Sequence, residues 1–214
     1  MDEEITIIDT NARNEKIRNF FMKNKKVFII TFSIVFISLI VFFSLEEIKK
    51  RNKIKLANQF NLSVLQFKTV DKQKTITDLT SIVNKKDITY SPLALYYLLD
   101  NNIIENNDKI NILFDVLIDE MNLEKEIKNL IIYKKALFNS NTATENDLLE
   151  ILNPIINSES IWKSHALYLM AEYFYSKNEK QKSKEFFNEI IILENANSDL
   201  KKEAQKRVNR DLSD

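Results

Sequence analysis

The chain distributes its apolar residues in two ways. Residues 27–45, VFIITFSIVFISLIVFFSL, carry no charge and are apolar on every side. After residue 46, apolar residues instead recur three and four positions apart among charged and amide side chains. The first pattern is that of a helix surrounded by hydrocarbon. At about 1.5 Å per residue, such a run approaches the roughly 30 Å of a bilayer core. The second is that of helices that bury one stripe against a neighbour.

A cleaved signal peptide has a shorter apolar stretch and small residues just before the cut. Ser44-Leu45-Glu46-Glu47 offers no such pair, and the run starts behind a polar segment, so an uncleaved anchor is predicted. Upstream, residues 1–10 read as an acidic tail outside the first helix, and residues 11–26 as a basic helix leading into the span. Downstream, Leu56, Phe60, Val64 and Phe67 form a stripe that carries the helix on as a membrane-proximal stalk to about Val70-Asp71.

Shorter helices follow. One is predicted near residues 75–84. A second opens at Ser91-Pro92, with Ser91 as N-cap and proline at the first helical position. Ile110, Leu113, Phe114, Leu117, Ile118 and Met121 mark a third, and Ile127, Leu130, Ile131, Leu137 and Phe138 a fourth. Thr144-Glu145-Asn146-Asp147 has the spacing of a capping box, with Asp in place of Glu. Residues 160–176, 179–194 and 198–212 complete the series. Residues 71–214 therefore read as stacked α-hairpins, in an all-α protein.

Composition narrows the chemistry. The chain has no glycine and no cysteine. Phosphate-cradling loops need glycine for close backbone approach, so the P-loop and the dinucleotide fingerprint are excluded. Disulfides and cysteine-based metal sites are excluded too. Residues 1–70 hold 12 Lys/Arg and 7 Asp/Glu, whereas residues 71–214 hold 19 and 24. The basic excess lies beside the span, where anionic head groups attract it. The acidic remainder argues against nucleic-acid binding.

Charge also bears on orientation. Arg13, Lys16, Arg18, Lys23, Lys25 and Lys26 precede the span, and Lys49, Lys50, Arg51, Lys53 and Lys55 follow it. This is close to balanced under the positive-inside rule. Lys25-Lys26 abut the span on one side and Glu46-Glu47 on the other, which favours a cytoplasmic N-terminus and an external C-terminal domain.

Catalytic, cofactor and metal constellations are not expected. His165 is the only histidine and has no second histidine or cysteine to work with. Acidic pairs such as Asp119-Glu120 read as solvated helix faces. The aromatics Tyr96, Tyr97, Tyr133, Trp162, Tyr168, Tyr173 and Tyr175 read chiefly as core. All but Tyr173 are also carried as candidate protein-binding anchors, since helical-repeat domains bind along an inner face where Tyr and Trp are favoured.

Residues 164–197 accommodate one 34-residue helix–turn–helix repeat of the tetratricopeptide type. Ala171 takes the small position of the first helix and Phe174 the aromatic one. Asn178 takes the turn position usually held by glycine. Ser183 is the small residue of the second helix and Phe187 its aromatic. A second match, from Ala94 and Tyr97 to Phe114, needs extra residues in its turn.

The acidic start, basic helix, single span, membrane-proximal helix and divergent helical repeats together resemble the YfgM-like family of ancillary SecYEG translocon subunits. The segment IWKSHALYLMAEYFYSKNEKQKSKEFFNEII, residues 161–191, resembles that family's best-kept hairpin. Ser and Asn stand here where Ala and Gly are usual. The resemblance implies a cytoplasmic tail over residues 1–26, a transmembrane helix over 27–45, a stalk over 46–70 and a periplasmic tetratricopeptide-repeat-like solenoid over 71–214. It implies the bacterial inner membrane as location, and as partners the SecYEG translocon with exported chains or periplasmic chaperones. The expected function is that of a non-enzymatic protein–protein interaction module, without cofactor, nucleic acid or small-molecule substrate. The alternative is a structural tether or cell-division coordinator acting by self-association.

Overall fold

The computed structural model describes residues 2–67 and 72–212, with side chains described from residue 13 onward. Ten α-helices and no strand occur among the described residues. They are α1 (Asp2–Lys23), α2 (Lys25–Phe67), α3 (Lys72–Val83), α4 (Tyr90–Asp100), α5 (Asn107–Asp119), α6 (Lys125–Asn139), α7 (Glu145–Ile156), α8 (Lys163–Ser176), α9 (Lys180–Ile192) and α10 (Ser198–Asp211). The chain divides into two compact units, Met1–Lys55 and Leu56–Asp214. The second begins inside the segment read as the stalk, and the expected end of that stalk, Val70-Asp71, lies outside the described residues.

The first unit holds α1 and the start of α2, separated only by a turn at Asn24. Residues 1–10 were expected to lie outside helix, yet α1 starts at Asp2. No proline or glycine stands between there and Phe67 to stop it. At Asn24 the ladder carries on, with Asn24 N–H donating to Phe20 O at 3.0 Å and Phe28 N–H to Asn24 O at 3.1 Å. The apolar window of α2 is not buried at all, and Phe32 is 75% exposed. This helix is long and apolar enough to cross a membrane.

The second unit is stacked. Each helix from α3 to α10 packs on its sequence neighbours, and α3 also meets α5, α6 meets α8, and α8 meets α10. Lys134 of α6 reaches the Tyr96 ring of α4 at 4.5 Å. Three apolar clusters follow one another along the stack, centred on Phe114, Phe174 and Phe187, each at most 1% exposed. Residues 56–67 of α2 cover the first of them, with Leu56 buried and Phe60 and Phe67 edge-on to Tyr97.

Turns without glycine need another residue in left-handed backbone. Lys86 (φ 56°), Asn102 (φ 48°) and Asn178 (φ 62°) supply it after α3, α4 and α8. At Asn178 the helix closes with Glu179 N–H donating to Phe174 O and Asn178 N–H to Tyr175 O, which satisfies carbonyls that the helix end leaves unpaired. Asn tolerates this conformation better than other residues with a Cβ.

Helix starts agree with the sequence at one expected cap and depart at two. Thr144 and Asp147 form the capping box of α7, each side chain accepting the other's backbone N–H. At α4 the expected N-cap Ser91 lies inside the helix. Asp87 caps instead, its Oδ1 accepting from Thr89 N–H and Tyr90 N–H at 2.9 and 2.8 Å, while Ser91 N–H donates to its carbonyl. Ser91 is buried and spends its hydroxyl on Ile82 O at 2.8 Å, tying α4 to α3. The last long hairpin begins at Lys163, not at residue 160, where the Ser160 hydroxyl donates to Glu126 of α6 and accepts from Trp162 N–H.

Candidate protein-binding surface

Five residues around the start of α8 lock its aromatic side chains in place. The Ser160 hydroxyl donates to Glu126 Oε2 at 2.7 Å, and Ile161 N–H donates to the same oxygen at 3.3 Å. Asn129 Nδ2 donates to Ser160 Oγ at 3.0 Å. Trp162 Nε1 donates to the Glu126 carbonyl at 3.1 Å. The indole is thereby held over Tyr133 of α6, with ring centroids 6.0 Å apart and planes 20° from parallel. His165 closes the group, 5.1 Å from Trp162 and 5.8 Å from Tyr133. Burial among these rings holds the imidazole pKa below its ordinary value.

The six candidate anchors do not form one site. Tyr133 and Trp162 meet, as just described. Tyr96 lies one helix away under Lys134, and its burial pushes the phenol pKa up to about 12. Tyr97 points the other way, onto Phe60 and Phe67, with its hydroxyl 3.5 Å from Val64 O. Tyr168 stands edge-on to Phe187 at 5.4 Å, and burial raises its pKa. Tyr175 carries the Arg207 guanidinium at 4.2 Å. Arg207 also pairs with Glu172 at 2.9 Å and Asp211 at 2.5 Å, joining α8 to α10.

The proposed repeat residues all lie at the junction of α8 and α9. Ala171, Ser183 and Phe187 are completely buried and Phe174 is 1% exposed, while Asn178 makes the turn. The Ser183 hydroxyl finds no hydrogen-bond partner there. It occupies the space of an alanine at the cost of an unsatisfied polar atom.

Sequence reasoning missed four exposed apolar side chains on or next to the helices that carry the aromatic anchors. Ile127 and Leu137 of α6 are 44% and 49% exposed, Leu93 of α4 is 43% exposed, and Ile161 is 67% exposed. Periodicity had assigned Ile127 and Leu137 to the core stripe. The signal against this was available: α6 carries apolar residues on more than one face, at Ile127, Leu130, Ile131, Ile132, Tyr133, Ala136, Leu137 and Phe138. A helix covered from one side cannot bury them all. Leu130, Tyr133, Lys134 and Leu137 fall on one face of α6 by helical spacing, with Tyr96 beside Lys134 and Trp162 beside Tyr133.

Among the described residues no group of three or more His, Cys, Asp or Glu is placed to hold a metal ion. The chain matches no protein-family model, no curated protein and no solved structure.

Proposed function

We propose that this protein is a single-pass membrane protein whose helical unit binds other proteins without catalysing a reaction. The observation that carries this reading is the half-buried Tyr133–Trp162 pair together with exposed Leu93 on α4, Ile127 and Leu137 on α6, and Ile161 just before α8. Ile127 and Leu137 are exposed on α6, which also carries Tyr133, and the Glu126 network fixes Trp162 against that ring. Pre-positioned aromatic side chains lose little freedom on binding, which is why such residues anchor interfaces. The apolar window of α2, none of it buried, supports the membrane anchor.

The repeat reading is of the tetratricopeptide type. Its support is a fully buried alanine on each of α6, α8 and α10: Ala136, Ala171 and Ala204 recur at about the 34-residue period. Ala94 of α4 is equally buried but further away in sequence. The partner reading rests on the resemblance: the SecYEG translocon through the span, and exported chains or periplasmic chaperones through the helical unit. This takes the N-terminus as cytoplasmic and the C-terminal unit as periplasmic, in the bacterial inner membrane.

Site-specific photo-crosslinking of the full-length protein in cells tests it. A photoreactive residue at Ile37 should give adducts with translocon subunits. One at Leu137 should give adducts with exported chains or chaperones. Recovery of self-adducts alone from both positions would replace this reading by a self-associating tether.

A further inference from the structure

The second basic flank of the span has a face whose charges the protein itself leaves unbalanced. Lys49, Lys50 and Lys53 lie within about 100° of one another around α2 and within its first turns after Leu45, at 1.5 Å per residue. All three are exposed, and none makes an ion pair among the described residues. Arg51 projects from the other side of the helix and is already paired with Glu47 at 2.7 Å. Glu46 lies on the lysine side but forms no ion pair with Lys49 or Lys50, so that face keeps a net positive charge.

We infer that Lys49, Lys50 and Lys53 form a binding face for anionic lipid head groups. The inference rests on the membrane reading of α2. Its two supports are charge and continuity. A helix leaving the hydrocarbon core passes through the head-group layer within its next two or three turns, where a phosphodiester lies within reach of a lysine stem. The attraction of an anionic leaflet for a lysine decays over a Debye length of about 8 Å at physiological salt, so only cations this close to the span feel it fully. The face belongs to the unit Met1–Lys55. It acts whichever way the span is oriented, since anionic lipid on that side is all it requires.

The test uses the full-length protein in vesicles of phosphatidylcholine mixed with phosphatidylglycerol. Spin-labelled versions of each lipid report the fraction immobilised on the protein. At low salt, labelled phosphatidylglycerol should associate about fivefold more strongly than labelled phosphatidylcholine, the equivalent of one lysine at a charged surface. The combined variant K49Q/K50Q/K53Q should lower the ratio more than K23Q/K25Q/K26Q does, and Glu46→Gln should raise it. Molar salt should abolish it in the native protein. Equal association of both lipids with the native protein at low salt would overturn the inference. So would a preference that survives in K49Q/K50Q/K53Q and disappears in K23Q/K25Q/K26Q, which would assign the site to the other flank. Absence of any immobilised lipid, anionic or neutral, would mean that α2 does not enter the bilayer, and would remove the membrane reading along with the inference.

Discussion

Phe32 and Phe187 are the same residue on the same kind of element, and they lie in opposite environments. Phe32, in the first unit, is 75% exposed; Phe187, in the second, is completely buried. The contrast extends to their surroundings. Around Phe32 the helix is apolar on every side and none of its apolar window is buried. Around Phe187 the apolar residues occupy one stripe of α9, and Ala171, Ile190 and Tyr168 close over it. The lesson is that burial is a property of the pattern rather than of the residue. A helix apolar all round has no side to offer water and needs another solvent. A helix apolar on one stripe needs only another helix.

The comparison can be broken in several places, and the largest effect is all or none. Alkaline carbonate extraction should leave the full-length protein in the membrane pellet. Release into the supernatant would mean that the exposed apolar surface of α2 is covered by something other than lipid.

Next comes the pair of phenylalanines itself. Phe187→Ala should lower the unfolding free energy of the helical unit by about 3 to 5 kcal/mol, through the cavity it leaves. Phe32→Ala should change that quantity by less than about 0.5 kcal/mol, as expected for a side chain outside the unit. Denaturant titration of both full-length variants in mild detergent gives the two numbers, and equal losses would abolish the distinction between the units.

Overpacking sharpens the point about small residues. Ala171→Leu should cost about 1 to 3 kcal/mol in the same titration, because α8 and α9 cannot separate without opening the cluster around Phe187. An unchanged midpoint would mean that the two helices are not held together at Ala171.

The smallest effect is a pH dependence of the aromatic group. His165 has a folded-state pKa below its unfolded value, since burial disfavours the imidazolium. The neutral form is therefore favoured by folding. Its contribution is fully present above the unfolded pKa of about 6.5 and is lost as the pH falls through that value toward the folded one. The melting temperature of the native protein should fall more between pH 7.5 and pH 5.5 than that of His165→Gln. Identical falls would show that the imidazole is as solvated in the fold as out of it.

Much of this architecture is legible in the sequence, because it depends on interactions close along the chain. The all-helical character follows from the three- and four-residue spacing and the absence of glycine. The capping box of Thr144 and Asp147 is closed within four residues, and the structure makes it as read. The left-handed turn at Asn178 is likewise local, since the chain offers only Asn where a glycine would stand. The length and apolarity of the span need no partner at all to be recognised.

The candidate site was less legible, for a physical reason. Spacing states which residues share a helix face, but not which face another helix will cover. In α6 apolar residues occupy more than one face, and only packing against α5, α7 and α8 decided that Ile131 and Ala136 lie inside while Ile127 and Leu137 lie in water. The same holds for Ser91, which lies inside α4 and donates its hydroxyl to a carbonyl of α3 that no local rule points to. Glu126 holds Trp162 from more than thirty residues away in sequence. What the sequence determined by itself was the helical character, the capping box at Thr144, the turn at Asn178 and the apolar span, each of which closes within a few residues or needs no protein neighbour. What only the tertiary structure decided was which apolar side chains remain uncovered, since coverage depends on neighbours that are distant along the chain and adjacent only once the helices have stacked.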